Sequence, residues 1–239
     1  EQPENKDTAP GLLLPLMHLA RRYPESVVAI FPSDHFIVEE ALFMSYVDLA
    51  LRIVERYSSF IVLLGIEPDE PESEYGYILP DEEEGYPAPL RARRVSRFIE
   101  KPDATMVHEL LMGGALWNTM VMAFKVKTLL RLVRQTLPSL YAAFQRIRVA
   151  IGTRAEQEVV KAVYRRMEVV NFSRGLLEAH PQDHAMRLWV LPVRGVRWSD
   201  WGSEGRVVGM LRRLGYLERL QQRPFADRVI PDLSDRSVA

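Results

Sequence analysis

Val27-Val28-Ala29-Ile30-Phe31, closed by Pro32 and followed by Ser33-Asp34-His35, is the stretch on which the reading of this chain turns. A short apolar run rich in β-branched residues and bounded by proline describes a strand buried on both faces. Such strands belong to parallel sheets covered by helices. The flanks agree. Upstream, Leu13, Leu16, Met17 and Ala20 recur at helical spacing behind Thr8, a cap candidate, and the helix is closed by Arg21, Arg22 and Pro24. Downstream, Glu39 to Tyr57 reads as a second amphipathic helix, and Phe60 to Ile66 as another buried strand. The alternation predicts βαβ crossovers, and with them an α/β fold with a mostly parallel central sheet flanked by helices.

The rest of the chain extends this frame. Tyr75 to Leu79 and Arg94 to Glu100 are strand-like and could pair as a hairpin around the acidic run Asp81-Glu82-Glu83-Glu84. Glu67 to Glu74 reads as a second solvated loop. Thr105 to Met112 is a short helix and Thr119 to Phe124 a strand. Val126 to Met167 is helical with breaks at Pro138 and Gly152-Thr153; Leu188 to Pro192 returns to strand, and Gly202 to Leu214 is the last helix. One domain over residues 1–222 is expected, with residues 223–239 a loose polar tail.

Bulk properties narrow the partners. Lys plus Arg number 31 against 32 Asp plus Glu, so no general field would gather nucleic acid or an anionic membrane. The chain has no cysteine, which removes disulfides, thiol catalysis and thiolate metal sites. No apolar run approaches the roughly 20 residues that span a bilayer, and the polar N-terminus lacks a secretory pattern. A soluble cytoplasmic protein is the expectation.

Ligands of wound α/β sheets sit beyond the carboxyl ends of strands. Asp34 stands there and could hold a divalent cation against phosphates, or cap a helix beginning near Val38. Asp200, in Trp198-Ser199-Asp200-Trp201-Gly202, could be a second oxygen ligand or a turn residue. Glu100 could accept from sugar hydroxyls while Lys101 offers a point charge to a phosphate; alternatively the two are an exposed charged pair. Asn118 carries the donor and acceptor that sugar recognition needs, or simply turns the chain. Gly76 permits close approach to a ligand, or marks a bulge. His180 and His184 lie four apart, but Pro181 intervenes and argues against a helical metal pair. Arg165, Arg166 and Arg174 read as solvated charges.

In order along the chain stand Gln2-Pro3-x-x-Lys6-x-Thr8-Ala9-Pro10, Phe31-Pro32-Ser33-Asp34-His35, Leu64-Gly65-Ile66-x-Pro68, Pro71-Glu72, Tyr75-Gly76-Tyr77-Ile78, Phe98-x-Glu100-Lys101-Pro102, Leu116-Trp117-Asn118 and Trp198-Ser199-Asp200-x-Gly202. Their order and content resemble the mannose-1-phosphate guanylyltransferase group of sugar-phosphate nucleotidyltransferases. The resemblance implies a Rossmann-like nucleotidyltransferase fold and transfer of a nucleotidyl group from a nucleoside triphosphate, GTP by preference, to a hexose 1-phosphate, mannose 1-phosphate by preference. It implies Mg²⁺ held by Asp34 and Asp200, hexose contacts from Gly76, Glu100 and Asn118, the sugar phosphate on Lys101, and the base near Gln2 and Thr8.

Such displacements need positioning and charge neutralisation more than a protein nucleophile. The family's Gly-Gly-x-Gly-Thr-Arg-Leu loop, which grips the triphosphate, does not occur in these residues. The expectation is therefore an N-terminally truncated fold, weak or inactive alone, with an exposed sheet edge that invites homo-oligomerisation. Two further departures are Asp7, where a small or amide residue is usual, and Thr119-Met120-Val121-Met122 after Asn118. The competing expectation is a non-catalytic relative that binds a sugar phosphate or nucleotide sugar as a regulatory subunit.

Overall fold

The computed structural model describes residues 1–81, 91–179 and 187–216. Most of the acidic run after Asp81, the two histidines at 180 and 184, and the tail from residue 223 lie outside them. The chain opens with α1 (Thr8–Arg22), β1 (Val27–Ile30), β2 (His35–Ile37), α2 (Glu40–Arg56), β3 (Phe60–Ile66) and β4 (Gly76–Pro80). It continues through β5 (Arg93–Glu100), α3 (Ala104–Met112), β6 (Leu116–Lys125), α4 (Val126–Thr136), α5 (Pro138–Ala150) and α6 (Glu156–Arg166). A π-helical turn (Ser173–Glu178), β7 (Arg187–Val193), β8 (Trp198–Asp200) and α7 (Glu204–Arg213) complete it. No helix among the described residues is long and apolar enough to cross a membrane.

Contacts divide the chain into two compact units. The larger, Glu1–Pro32 with Glu39–Val196, is the α/β body; the smaller is Ser33–Val38 with the described residues from Arg197 to Tyr216.

In the larger unit six strands form one sheet in the order β1-β6-β3-β7-β5-β4, and β4 also pairs with the start of β6. The α/β class and the helical cover stand, but the sense of the ladders departs from expectation. Among the described residues only β3–β7 is parallel; β1–β6, β3–β6, β4–β5, β4–β6 and β5–β7 are antiparallel. The reason is insertion. Strands β1 and β3, joined through α2, do point the same way, as their crossover demands. The later strand β6 runs between them in the opposite direction and takes the hydrogen bonds of both.

Two further expectations, one of burial and one of a strand boundary, are corrected as well. Strand β1 ends the sheet order, so all four of its residues are partly exposed instead of covered on both faces. Trp117 and Asn118 lie inside β6, which starts at Leu116. The hairpin expectation holds, with Gly76 opposite Glu100 and Tyr77 opposite Ile99.

The main core gathers Leu13 and Met17 of α1, Leu129 and Leu132 of α4, Phe144 and Ile147 of α5, and Phe124 of β6, each at most 1% exposed. Burying each such side chain contributes about 1.5–3 kcal/mol before entropy is counted. Tyr164 of α6 donates its hydroxyl to the carbonyl of Pro10 at 3.0 Å, tying α6 to the first turn of α1. The cap of α1 is Asp7 and not Thr8: the Asp7 carboxylate accepts from Thr8 N at 2.5 Å.

In the smaller unit β2 and β8 form an antiparallel ribbon, with His35 opposite Asp200 and Ile37 opposite Trp198. Neither strand is legible from hydropathy, because each is only three residues long. Helix α7 follows, capped by Ser203, whose side chain accepts from Arg206 N.

Candidate functional site

In the larger unit three of the residues singled out from sequence converge. A Cβ on Gly76 would lie 2.7 Å from Glu100 Oε2, 3.2 Å from Phe98 Cζ and 3.5 Å from Asn118 Cβ. Glycine at 76 is therefore required by close approach, and the β4–β5 irregularity falls elsewhere, between Leu79 and Pro80. Asn118 is 7% exposed, and its Oδ1 accepts from Met120 N at 3.1 Å, which leaves its amide nitrogen for other partners. Met120 adopts φ of +56°, a conformation that costs a side-chain-bearing residue about 1 kcal/mol or more and that clusters at functional sites.

Glu100 is the electrostatic centre of this group. Burial pushes its carboxyl pKa up; the Ser173 hydroxyl and the charges of Lys101 and Arg174 pull against burial, and Glu178 adds to the rise. The π-helical turn that carries Ser173, Arg174 and Glu178 escaped sequence reading, since nothing in spacing ties residue 173 to residue 100. Arg174 is exposed, as expected of a solvated charge, yet its field acts on Glu100.

Lys101 also has positive φ, at +51°, and its ammonium lies 3.2 Å from Glu74 Oε2 in an exposed ion pair. The bland reading of Lys101 as a surface pair thus holds for its resting contact, although its partner is Glu74 and not Glu100. An exposed pair is worth at most about 1 kcal/mol and yields readily to a phosphate.

The smaller unit holds Asp34 and Asp200. Asp34 caps no helix: α2 begins at Glu40, and β2 stands between. Its carbonyl accepts from Trp201 N at 2.7 Å, so the residue closes the β2–β8 ribbon. Asp200 Oδ1 accepts from Gly202 N at 3.4 Å, as a turn residue does, and lies 2.5 Å from Arg206 Nε. The pair is a close charge contact. Gly202 makes room for it, since a Cβ there would meet Arg206 Nη2 at 2.8 Å. His35 Nδ1 accepts from Trp198 Nε1 at 3.1 Å, and burial lowers the imidazole pKa against the pull of Asp34 and Asp200.

No group of three His, Cys, Asp or Glu side chains among the described residues could hold a metal ion. Two carboxylates are nevertheless a donor set that suits Mg²⁺, which binds through one or two carboxylates plus water and substrate phosphates.

Gln2 and Thr8 are engaged within the N-terminal segment. Gln2 donates to the Asp7 carbonyl at 3.3 Å and accepts from Lys6 N at 3.4 Å, lying against Gly11. Thr8 Oγ1 accepts from Phe172 N at 2.9 Å, and Ala9 N donates to the Val170 carbonyl at 3.1 Å. Asp7 reaches Asn171 Nδ2 at 3.4 Å. This segment is thereby stitched to the stretch of chain that leads into the π-helical turn.

The sequence profile of the family described as Nucleotidyl transferase matches residues 1–204, and the chain belongs to that family. It is 32% identical over 146 residues to the xanthan biosynthesis protein XanB of Xanthomonas campestris pv. campestris (strain B100), covering 61% of this chain and 30% of that protein. Against the mannose-1-phosphate guanylyltransferase of Escherichia coli (strain K12) the identity is 28% over 153 residues, covering 63% and 32%. The chain thus spans about a third of the length of the curated relatives it matches. Among solved structures, one described as mannose-1-phosphate geranyltransferase from Thermus thermophilus superposes with a TM-score of 0.70 at 28% identity, covering 93% of this chain and 57% of that one.

Proposed function

We propose that this chain contributes to the transfer of a nucleotidyl group from GTP to mannose 1-phosphate, giving GDP-mannose and pyrophosphate. The observation that carries the reading is the convergence of Gly76, Glu100 and Asn118 at the joined ends of β4, β5 and β6. A glycine that keeps side chains away, a half-buried carboxylate that accepts and an amide that donates are the groups that recognise a ring hydroxyl. The likeness to mannose-1-phosphate guanylyltransferases supports the choice of base and hexose.

In this reading Glu100 and Asn118 bind and orient the hexose, while Lys101 leaves Glu74 to meet the sugar phosphate. Asp34 and Asp200 would hold Mg²⁺, which when bound neutralises phosphate charge as the α-phosphorus is attacked. Gln2 and the backbone around Thr8 would face the base. Holding both reactants in line supplies most of the acceleration, so no protein nucleophile is called for.

Calorimetric titration with GDP-mannose, with and without Mg²⁺, tests the reading, with UDP-glucose as the comparison and Asp200→Ala as the control. Mg²⁺-dependent binding that prefers GDP-mannose and is lost in the variant is the expected result. Binding indifferent to both Mg²⁺ and Asp200 would favour a non-catalytic sugar-nucleotide binder. A preference for UDP-glucose would overturn the assignment of base and hexose.

A further inference from the structure

Gly11 lies in the first turns of α1, where glycine weakens a helix relative to alanine. Its φ is not positive, so the backbone does not demand a glycine. The space around it does. A Cβ on Gly11 would stand 2.9 Å from Gln2 Nε2 and 3.4 Å from Gln2 Cδ, and among the described residues beyond its own helix it would meet nothing else within 4 Å. The Gln2 side chain is therefore what an added methyl group would strike.

The backbone holds that same amide by its polar atoms. Nε2 donates to the Asp7 carbonyl at 3.3 Å, and Oε1 accepts from Lys6 N at 3.4 Å. The Asp7 carbonyl accepts from Gly11 N as well, at 3.2 Å, which joins the N-terminal segment, the amide and the first turn of α1 in one arrangement. A glutamine amide has two N–H donors and two acceptor lone pairs. One of each is spent on the backbone, and the other N–H and lone pair form a donor–acceptor pair whose order is fixed. An amide free to turn over offers the pair in either order. It then suits a base with a ring N–H beside a carbonyl, as in guanine, and equally one with an amino group beside a ring nitrogen, as in adenine. A held amide offers one order.

We infer that Gly11 is a positioning residue for Gln2 and through it sets the choice of base. The missing side chain lets the Gln2 amide lie against α1 within reach of Lys6 N and the Asp7 carbonyl. Gly11 acts through Gln2 and does not itself touch the base. The inference rests on the base reading of Gln2 above, and it adds the residue that keeps the amide from turning over. An alanine at position 11 would strike the far end of a flexible side chain, so it displaces the amide and leaves the helix intact.

The test pairs a ligand-free readout with a binding one. The side-chain amide cross-peak of Gln2, identified by its loss in Gln2→Ala, is followed by ¹H–¹⁵N NMR in wild type and Gly11→Ala. All three proteins are titrated with GDP and with ADP. In Gly11→Ala the cross-peak should move toward the position of a free glutamine, and the preference for GDP over ADP should shrink about tenfold, the share of one hydrogen bond. Gln2→Ala should lose the same preference. An unmoved cross-peak in folded Gly11→Ala overturns the inference. A preference kept in Gly11→Ala but lost in Gln2→Ala overturns it too and leaves the base reading standing, whereas a preference kept in both removes the base reading itself. If wild type binds neither nucleotide, the base reading falls, and the cross-peak alone decides whether Gly11 positions Gln2.

Discussion

Gly76 and Glu100 stand opposite each other in the β4–β5 ladder, and the Glu100 carboxylate occupies the space in which a side chain on residue 76 would begin, 2.7 Å from its Cβ. Gly76→Ala should displace the Glu100 carboxylate. Affinity for GDP-mannose is expected to fall about tenfold or more, with about 1–3 kcal/mol of overpacking visible in denaturant unfolding. Unchanged affinity in a folded variant would mean that Glu100 does not face the ligand.

The raised pKa of Glu100 has a thermodynamic signature. In the folded state the carboxyl holds its proton to higher pH than the ordinary value of 4.5, because burial disfavours the charge. Between the unfolded and folded pKa the native state binds more protons, so stability falls as pH rises through that window and stays lower above it. Glu100→Gln should therefore be more stable than wild type at neutral pH, with the difference vanishing below about pH 4. Melting curves of both proteins from about pH 3.5 to about pH 7.5 would show it, and a variant less stable at neutral pH would count against a desolvated carboxylate. The same variant should lose hexose binding, a trade of stability for recognition.

Arg206 and a divalent cation are expected to compete for Asp200, whose Oδ1 lies 2.5 Å from Arg206 Nε. Arg206→Gln keeps a polar side chain and removes the charge. If Asp200 serves as a metal ligand, Mn²⁺ affinity measured by electron paramagnetic resonance should rise severalfold in the variant. An equal affinity in both proteins would place the cation elsewhere.

Thr119, fully buried in β6, donates to the Leu64 carbonyl at 2.7 Å and accepts from Val121 N at 3.1 Å, just where the β3–β6 register slips between Leu63 and Gly65. Thr119→Val keeps the shape and strands both partners. The expected loss is about 1–3 kcal/mol in urea unfolding, with a smaller loss of ligand affinity through the neighbouring Asn118.

Much of this was legible in the chain, for identifiable reasons. The helices α1, α2 and α4 to α6 carry long apolar stripes whose period shows in the sequence, and β3 and residues 188–193 of β7 are apolar runs. The hairpin and the candidate trio Gly76, Glu100 and Asn118 lay in recognisable motifs. What stayed hidden depends on contacts remote in sequence. The sense of the sheet was set by β6 entering between β1 and β3, which the local pattern of β1 cannot reveal. Strands β2 and β8 exist only because they meet each other. Glu178 reaches the backbone of Glu100 only once the turn that bears it is laid against β5.

The insertion of β6 also sets a clock for assembly. Val27–Ile30 finds its strand partner at Met122–Lys125, so β1 leaves the ribosome long before the residues that complete it. At ordinary elongation rates that interval is roughly 5–20 s. Throughout it, an apolar run with unsatisfied backbone groups has nothing to pair with but other nascent chains. A cell making this protein has reason to shield that segment, and slow synthesis or high expression should show itself first as aggregation seeded at β1.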